Sequence, residues 1–153
     1  MIPLKSDKDL RMLKSSGRIL ADVLEELKNF VKPGVTTAEI DKQAEALVLK
    51  AGGVPAFKGY KGFPASVCAS INEEIVHGIP GNRRLCEGEI LSLDLGVNYK
   101  GYFSDAAVTL PVGRISAKLN RLIEVTKKAL AEGVRQEVID NSLSDISHSI
   151  QNY

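Results

Sequence analysis

Two aspartates, Asp94 and Asp105, combine a residue type and a spacing that could bind a metal ion. Residues 90–97 alternate apolar with small or polar side chains, residues 98–101 are typical of a turn, and residues 102–111 are predicted to be the returning strand. In such a hairpin the two carboxylates lie opposite or diagonal to each other on one face, and directly opposite Cβ atoms are about 4.5–5.5 Å apart. Two buried like charges at that distance require a cation or a proton between them. The pair therefore predicts a divalent metal site.

The same spacing also fits a purely structural role for the two aspartates. An Asp side chain beside a turn commonly accepts a hydrogen bond from a nearby backbone N–H and so forms an Asx turn. Spacing alone favours the metal site and the turn cap about equally. The orientation of the two carboxylates decides between these interpretations.

Amphipathic helices are predicted on both sides of the hairpin. Leucine and valine recur at spacings of three and four residues from about residue 7 to residue 31, with Asp7 as the candidate N-cap. Thr36 and Glu39 match a capping box that begins a second helix, which a Gly-Gly pair ends. Two further helices are predicted at about 116–133 and 142–153. Helices that flank an antiparallel hairpin indicate an α+β architecture.

The composition is that of an ordinary globular protein. The 153 residues are 44% hydrophobic and 25% charged, and 20 Lys and Arg balance 19 Asp and Glu. One domain is expected at this length, and near-neutral charge predicts neither nucleic acid nor an anionic membrane as a partner. No apolar run approaches the roughly 18 residues of a membrane span. Two cysteines are too few for a disulfide framework, which favours the cytoplasm.

Three segments make the sequence resemble a known enzyme family. They are VKPGVTTAEID near the start, FPASVCASINEEIVHGIP in the middle, and EILSLDLGVNYKGYFSDAAVTLPVG across the predicted hairpin. These segments are similar to those of the type I methionine aminopeptidases, and the resemblance covers nearly all 153 residues. It implies the pita-bread fold, in which two pseudo-symmetric halves enclose a dinuclear metal site. It also implies a metal-dependent hydrolase that removes the initiator methionine from nascent proteins.

The resemblance assigns roles to six residues of this sequence. Asp94 and Asp105 match metal-binding aspartates, Asp105 being the one that bridges both ions, and Co, Mn, Fe or Zn could serve. His77, in the VHGIP motif, matches a catalytic histidine that contacts the substrate and assists at the scissile amide. Three residues match the lining of the methionine side-chain pocket: Tyr60, Phe63 and Cys68. Taken without the resemblance, a lone histidine after an apolar run favours a structural role at a strand end.

The sequence departs from the family in length. The family runs to about 250 residues or more, so residues 1–153 are predicted to form a single incomplete catalytic domain, the N-terminal half of the pita-bread fold. The family's other three protein ligands, one His and two Glu, belong to the second half, which leaves two of five here. We therefore expect little activity from the 153 residues alone. A fragment of a longer enzyme is the favoured interpretation, and completion by another chain is an alternative.

Two other functions stay open from the sequence. The chain could be a catalytically inactive pita-bread half that binds peptides or serves in assembly, or it could be a proline-directed aminopeptidase. The HGIP segment precedes SLDLG closely, with no inserted subdomain, which by resemblance favours the methionine enzyme. The resemblance implies that its partners are the N-termini of nascent polypeptides in the cytoplasm, in proximity to the ribosome.

Overall fold

The computed structural model describes residues 4–153. The chain forms two compact units, one comprising the residues up to Arg114 and the other Ile115–Tyr153. The first unit contains two long helices and a four-stranded sheet, and the second contains two helices. That residues 1–153 form one incomplete catalytic domain stays a prediction. Among the described residues, none of the helices has both the length and the apolar character that a membrane span needs.

The antiparallel sheet of the first unit is built around one central strand. Its strands are β1 (Val54–Pro55), β2 (Val67–Ile71), β3 (Ile90–Tyr99) and β4 (Tyr102–Pro111). β3 pairs with β4 along one edge and with both β1 and β2 along the other. The candidate site residues that lie in strands are therefore either on β3 itself or on a strand that pairs with β3.

β3 and β4 form the predicted hairpin, and a two-residue turn joins them. Lys100 and Gly101 have φ angles of 53° and 87°, as a type I′ turn requires. The pairing runs from Tyr99 opposite Tyr102 to the far end of both strands without a slip. Because a slip of one residue would reverse every side chain, this turn fixes which residues share a face of the sheet.

The core of the first unit lies between one face of the sheet and two helices, α1 (Asp7–Phe30) and α2 (Thr37–Lys50). The sheet contributes alternate residues of β3, all fully buried: Leu91, Leu93, Leu95 and Val97. Ser16 of α1 is also fully buried, and its hydroxyl contacts the Val97 carbonyl at 3.2 Å and the Ser104 hydroxyl at 2.9 Å. These hydrogen bonds compensate the burial of a polar group. The even-numbered residues of β3, Asp94 among them, point to the face away from the core.

Capping boxes begin both helices of this unit. The predicted box at α2 is present, since the Glu39 carboxylate accepts the Thr36 N–H at 2.7 Å and the Thr36 hydroxyl accepts the Glu39 N–H at 3.2 Å. The prediction that Asp7 caps α1 is wrong by one residue. The N-cap is Ser6, because Asp9 lies three residues on and accepts the Ser6 N–H at 2.9 Å. If Asp7 were the N-cap, the N3 residue would be Leu10, whose side chain cannot accept a hydrogen bond from the N-cap N–H.

The second unit consists of α3 (Ala117–Arg135) and α4 (Leu143–Asn152), and each begins one residue after the predicted start. The two helices approach closely at Gly133, where a Cβ atom would lie 2.8 Å from the side chain of Ile150. A larger residue than glycine would therefore push these helices apart.

Candidate metal centre

Asp94 and Asp105 lie on the same face of the hairpin, the one that points away from the core. Asp94 pairs with Ala107 of β4, and Asp105 pairs with Gly96 of β3. Because Asp105 is two residues from Ala107, the two aspartates are diagonal neighbours, and diagonal positions are about 7–8 Å apart. Of the two placements that the sequence allowed, opposite and diagonal, the register shows the diagonal one.

Small residues beside the aspartates leave room around the carboxylates. A Cβ atom on Gly96 would lie 2.6 Å from Cε1 of Phe57, so the aromatic ring can cover this position only because residue 96 is glycine. On the β2 side, Cys68 pairs with Asp94. The carboxylates are thus bordered by the ring of Phe57, the methyl group of Ala107 and the thiol of Cys68.

The surroundings of Asp94 suit a bound cation. Burial and then the negative charge of Asp105 raise the pKa of Asp94, and the nearby His77 opposes this effect. Asp94 Oδ1 is buried and has no hydrogen-bond partner within residues 4–153. An unpartnered buried carboxylate oxygen is costly, and a divalent cation would supply the missing partner while neutralising the repulsion. The two aspartates therefore fit a divalent metal ion.

The alternative interpretation, in which the aspartates cap the hairpin turn, is not supported. Asn98 has that role, because its Oδ1 accepts the Gly101 N–H at 2.9 Å. Within the described residues, no backbone N–H donates a hydrogen bond to Asp94 Oδ1. The turn is thus closed by an amide side chain, and the carboxylates are left free for another partner.

His77 reaches the site from the loop that follows β2. It lines the same cavity as the two aspartates, and its charge is close enough to affect the pKa of Asp94. Its backbone φ of 61° lies in the left-handed region, which is uncommon for a residue other than glycine. His77 is therefore a loop residue directed at the carboxylates rather than the end of a strand.

The six residues that the resemblance assigned line one cavity of about 690 Å³. Tyr60 begins a short 3₁₀ turn, Tyr60–Gly62, and Phe63 follows it directly. Cys68 forms part of the sheet beside Asp94 and is 4% exposed. An apolar wall next to paired carboxylates suits a ligand that carries an apolar side chain beside a polar group.

The surroundings of Cys68 favour its protonated form. Burial, followed by the negative charges of Asp94 and Asp105, raises its pKa to about 11. The thiolate is the reactive form of cysteine, and a thiol with this pKa is almost fully protonated at neutral pH. Although Cys68 and His77 share a cavity, a cysteine-peptidase mechanism is therefore disfavoured.

Sequence reasoning assigned no role to five further residues that line the cavity: Phe57, Lys61, Gly62, Pro64 and Ile79. Phe57 had an available signal, because a glycine inside a strand, here Gly96, often marks the close approach of another group. Lys61 has a φ of 48°, and the glycines at 59 and 62 also have positive φ, so this segment turns sharply at the cavity. Nothing in the sequence distinguished Ile79 from an ordinary loop residue.

Among residues 4–153, Asp94 and Asp105 are the two acidic residues that line the cavity. Within residues 4–153, no group of three or more His, Cys, Asp or Glu side chains is arranged to hold a metal ion. Two carboxylates can bind a divalent ion, but they leave most of its coordination positions to other donors.

The chain is similar to methionine aminopeptidases along its whole length. It is 49% identical to the methionine aminopeptidase of Clostridium acetobutylicum over 154 residues, which covers 100% of this chain and 62% of that protein. It is 47% identical to methionine aminopeptidase 1 of Bacillus subtilis, again with 100% and 62% covered. The crystal structure of methionine aminopeptidase from Rickettsia prowazekii superposes with a TM-score of 0.96 at 34% identity, covering 100% of this chain and 62% of that chain. The chain thus spans less than two thirds of the length of these relatives.

These matches confirm two predictions from the sequence. The resemblance to the methionine aminopeptidases is confirmed, and the α+β architecture belongs to a pita-bread fold. The pattern that defines metallopeptidase family M24 matches residues 11–153, a range that includes both aspartates and His77. Metallopeptidases use a divalent metal, which agrees with the paired carboxylates. Because this match extends over nearly all of the sequence, the chain belongs to metallopeptidase family M24.

Proposed function

We propose that this protein is a methionine aminopeptidase, which removes the N-terminal methionine from polypeptides. The proposal is supported by the methionine aminopeptidases that match the whole chain at 47% and 49% identity. The observation that carries it is the cavity in which Asp94, Asp105 and His77 adjoin an apolar wall. A site of this kind can hold a peptide by its first side chain while its first peptide bond lies beside a metal.

In this proposal Asp94 and Asp105 would hold divalent metal. Co, Mn, Fe and Zn all suit a site of carboxylate and imidazole ligands. By the family resemblance, this chain supplies two of five protein ligands, and the other three belong to the second half of the fold. When bound, the metal supplies a Lewis acid that polarises the carbonyl of the scissile bond.

His77 assists at the scissile amide. Its imidazole donates a hydrogen bond to the substrate, where negative charge develops as the peptide bond is attacked. A hydrogen bond that strengthens in the transition state accelerates the reaction without tightening the binding of the substrate. His77 therefore contributes to the rate of the chemical step, and this contribution depends on the position of its imidazole relative to the scissile amide.

Tyr60, Phe63 and Cys68 form the pocket for the methionine side chain. Aromatic rings make favourable contacts with the sulfur of a thioether, and a protonated thiol adds a small polarizable surface. The pocket therefore recognises the first residue of the peptide. We place the substrates, the N-termini of nascent polypeptides, in the cytoplasm near the ribosome.

A chimera tests this proposal directly. The 153 residues replace the matched part of the Bacillus subtilis enzyme, to which they are 47% identical, and the product is assayed with Mn²⁺ on a Met-Ala-Ser peptide. We expect release of methionine, and we expect Asp94→Asn and Asp105→Asn to reduce it by at least about 100-fold. Asp22→Asn is the matched control, because Asp22 is exposed on α1 and pairs only with Arg18 at 3.3 Å.

Three results of this assay would refute the proposal. A folded chimera without activity would show that these residues form an inactive binding or assembly module. Activity that survives both substitutions would show that the carboxylates hold no catalytic metal. A preference for a peptide with proline in the second position, over Met-Ala-Ser, would favour the proline-directed relatives.

A further inference from the structure

The backbone of His77 is held in a conformation that it would not adopt alone. Its φ of 61° is left-handed, and such a conformation costs energy for any residue that carries a Cβ atom. His77 is exposed, as are its loop neighbours Val76 and Ile79, which are 62% and 64% exposed. Packing of side chains around His77 therefore does not explain its conformation, and the backbone contacts of the loop must maintain it.

The contacts that maintain it are made by the next residue, Gly78, to strand β2. The Ala69 N–H donates a hydrogen bond to the Gly78 carbonyl at 2.9 Å. The Gly78 N–H donates in turn to the hydroxyl of Ser70 at 3.1 Å. A Cβ atom at Gly78 would lie 2.3 Å from the Ala69 carbonyl oxygen, so only glycine can approach the strand this closely. The loop is thus clamped to β2 at the residue that adjoins His77.

Ser70 supplies the side chain of this clamp. It is 4% exposed and sits two residues from Cys68 on the same face of β2. Its register partner on β3, Ser92, provides a comparison, because Ser92 directs its hydroxyl to Thr109 at 2.9 Å instead. Two adjacent serines on one sheet face therefore have separate partners, and only that of Ser70 belongs to the loop of His77.

We propose that Ser70 is a positioning residue for His77. Its hydroxyl accepts the Gly78 N–H, holds the loop against β2, and thereby keeps the His77 imidazole directed at the cavity of Asp94 and Asp105. Ser70 acts through the backbone of Gly78 and, among the described residues, is not one of those that line the cavity. The assignment of a catalytic task to His77 rests on the proposed function, whereas the positioning itself does not depend on it.

Nuclear magnetic resonance of the 153-residue chain, free of metal, tests the positioning. The chain has two histidines, so the ring signals of His148, which lies in α4, serve as an internal reference. We expect Ser70→Ala to shift and broaden the ring signals of His77 while those of His148 stay unchanged. Ser92→Ala, the matched control, should leave both sets unchanged. Unchanged His77 signals in Ser70→Ala would overturn the proposal.

A second measurement uses the unsubstituted chain, so its result does not depend on whether the Ser70 variant folds. The Gly78 amide should exchange with solvent at least about tenfold more slowly than the amides of Val76 and Ile79, because a hydrogen-bonded amide is protected. Equal exchange rates at these positions would show that the bond to Ser70 is not formed in solution, and the proposal would fail.

The catalytic consequence is tested in the peptidase assay with a double-mutant cycle. Ser70→Ala should lower kcat about five- to tenfold, the typical effect of one lost hydrogen bond, with KM changed less than about twofold. In a His77→Ala background the same substitution should have no further effect on kcat. If the two substitutions instead lowered kcat by independent factors that multiply in the double variant, the role of Ser70 would be merely structural. If the parent enzyme is inactive, the proposed function fails, while the ring signals still decide the positioning.

Discussion

At the scale of single residues, Asp94 and Asp105 share one face but differ in their surroundings. Asp94 is half-buried between Cys68 and Ala107, whereas Asp105 is exposed and pairs with Gly96. The repulsion between the two carboxylates opposes the folded state unless a cation lies between them. A ligand that binds only the folded state stabilises it, so metal binding and stability should be linked through these two residues.

We predict that Mn²⁺ raises the thermal midpoint of the chain and that this increase depends on both aspartates. Millimolar Mn²⁺ should raise the midpoint by a few degrees, because about 1 kcal/mol corresponds to roughly 2–8 °C in domains of this size. Asp94→Asn and Asp105→Asn should each abolish the increase, and Asp22→Asn should retain it. Differential scanning calorimetry with and without Mn²⁺ measures this. The prediction fails if all four proteins respond alike.

Gly96 tests how closely the site is packed. We predict that Gly96→Ala destabilises the protein by about 1–3 kcal/mol, because the new methyl group would lie 2.6 Å from Phe57. Gly17→Ala is the matched control, since its Cβ atom would have no neighbour within 4 Å and alanine favours a helix. That control should stabilise by about 0.5–1 kcal/mol. Urea unfolding of both variants measures the two free energies, and a neutral Gly96→Ala would show that the ring does not cover this position.

At the scale of elements, one hydrogen bond joins the start of α1 to the start of β4. The Tyr102 hydroxyl donates to the Asp9 carboxylate at 2.7 Å, while Ser6 donates to the same carboxylate from its hydroxyl at 2.6 Å and its N–H at 2.9 Å. The bonds from Ser6, and then that from Tyr102, lower the pKa of Asp9 from 3.8 to about 2. Asp9 therefore both completes the capping box of α1 and attaches this helix to the hairpin of the site.

We predict that Asp9 contributes to the loss of stability in acid. Because its pKa in the folded state is lowered, its contribution is fully present above about pH 4 and is lost as the pH falls towards about 2. Asp9→Asn should therefore flatten the decline in unfolding free energy across this range, and Tyr102→Phe should flatten it partly. Urea unfolding at a series of pH values measures the slope. An unchanged slope in Asp9→Asn would show that its carboxylate is not bonded in the folded state.

The elements were largely predictable from the sequence, because they follow from local patterns. Leucine spacing located the helices, and the two-residue turn at Lys100 and Gly101 fixed the register that brings the aspartates together. The error at the start of α1 arose because Ser6 and Asp7 are both good N-cap residues, and only the reciprocal bond to Asp9 distinguishes them.

The tertiary contacts around the site could not be predicted in the same way. Phe57 covers Gly96 although the two are distant in sequence, and the bond from Gly78 to Ser70 involves a serine that resembles any other in a strand. Such contacts depend on how a loop folds back over the sheet, which neither periodicity nor residue type specifies. The roles of His77 and Cys68 likewise came from the family resemblance and not from their local patterns.

At the scale of the whole molecule, the buried core belongs to the first unit. Its members extend from Leu20 in α1 to Val112 after β4. In the second unit Gly133 is the buried residue of α3, and the apolar residues Leu130 and Leu143 are 61% and 81% exposed. All members of this core cluster therefore belong to the first unit.

We predict that a chain ending at Arg114 still unfolds in one cooperative transition. Its core cluster is complete without the residues that follow, and a single packed core is what makes unfolding cooperative. Leu95→Ala in the shortened chain should lower the free energy of unfolding by about 2–5 kcal/mol, as expected for a leucine that is fully buried. Circular dichroism during urea unfolding measures both. A gradual transition in the shortened chain would contradict this prediction.

The most direct test of the metal site is anomalous diffraction from a crystal of the chain soaked in Mn²⁺. We expect an anomalous peak within about 2.0–2.4 Å of carboxylate oxygens from both Asp94 and Asp105, and no such peak in a crystal of Asp105→Asn. A peak that contacts neither aspartate, or a site that stays without Mn²⁺ at concentrations where the ion binds elsewhere on the protein, would contradict it.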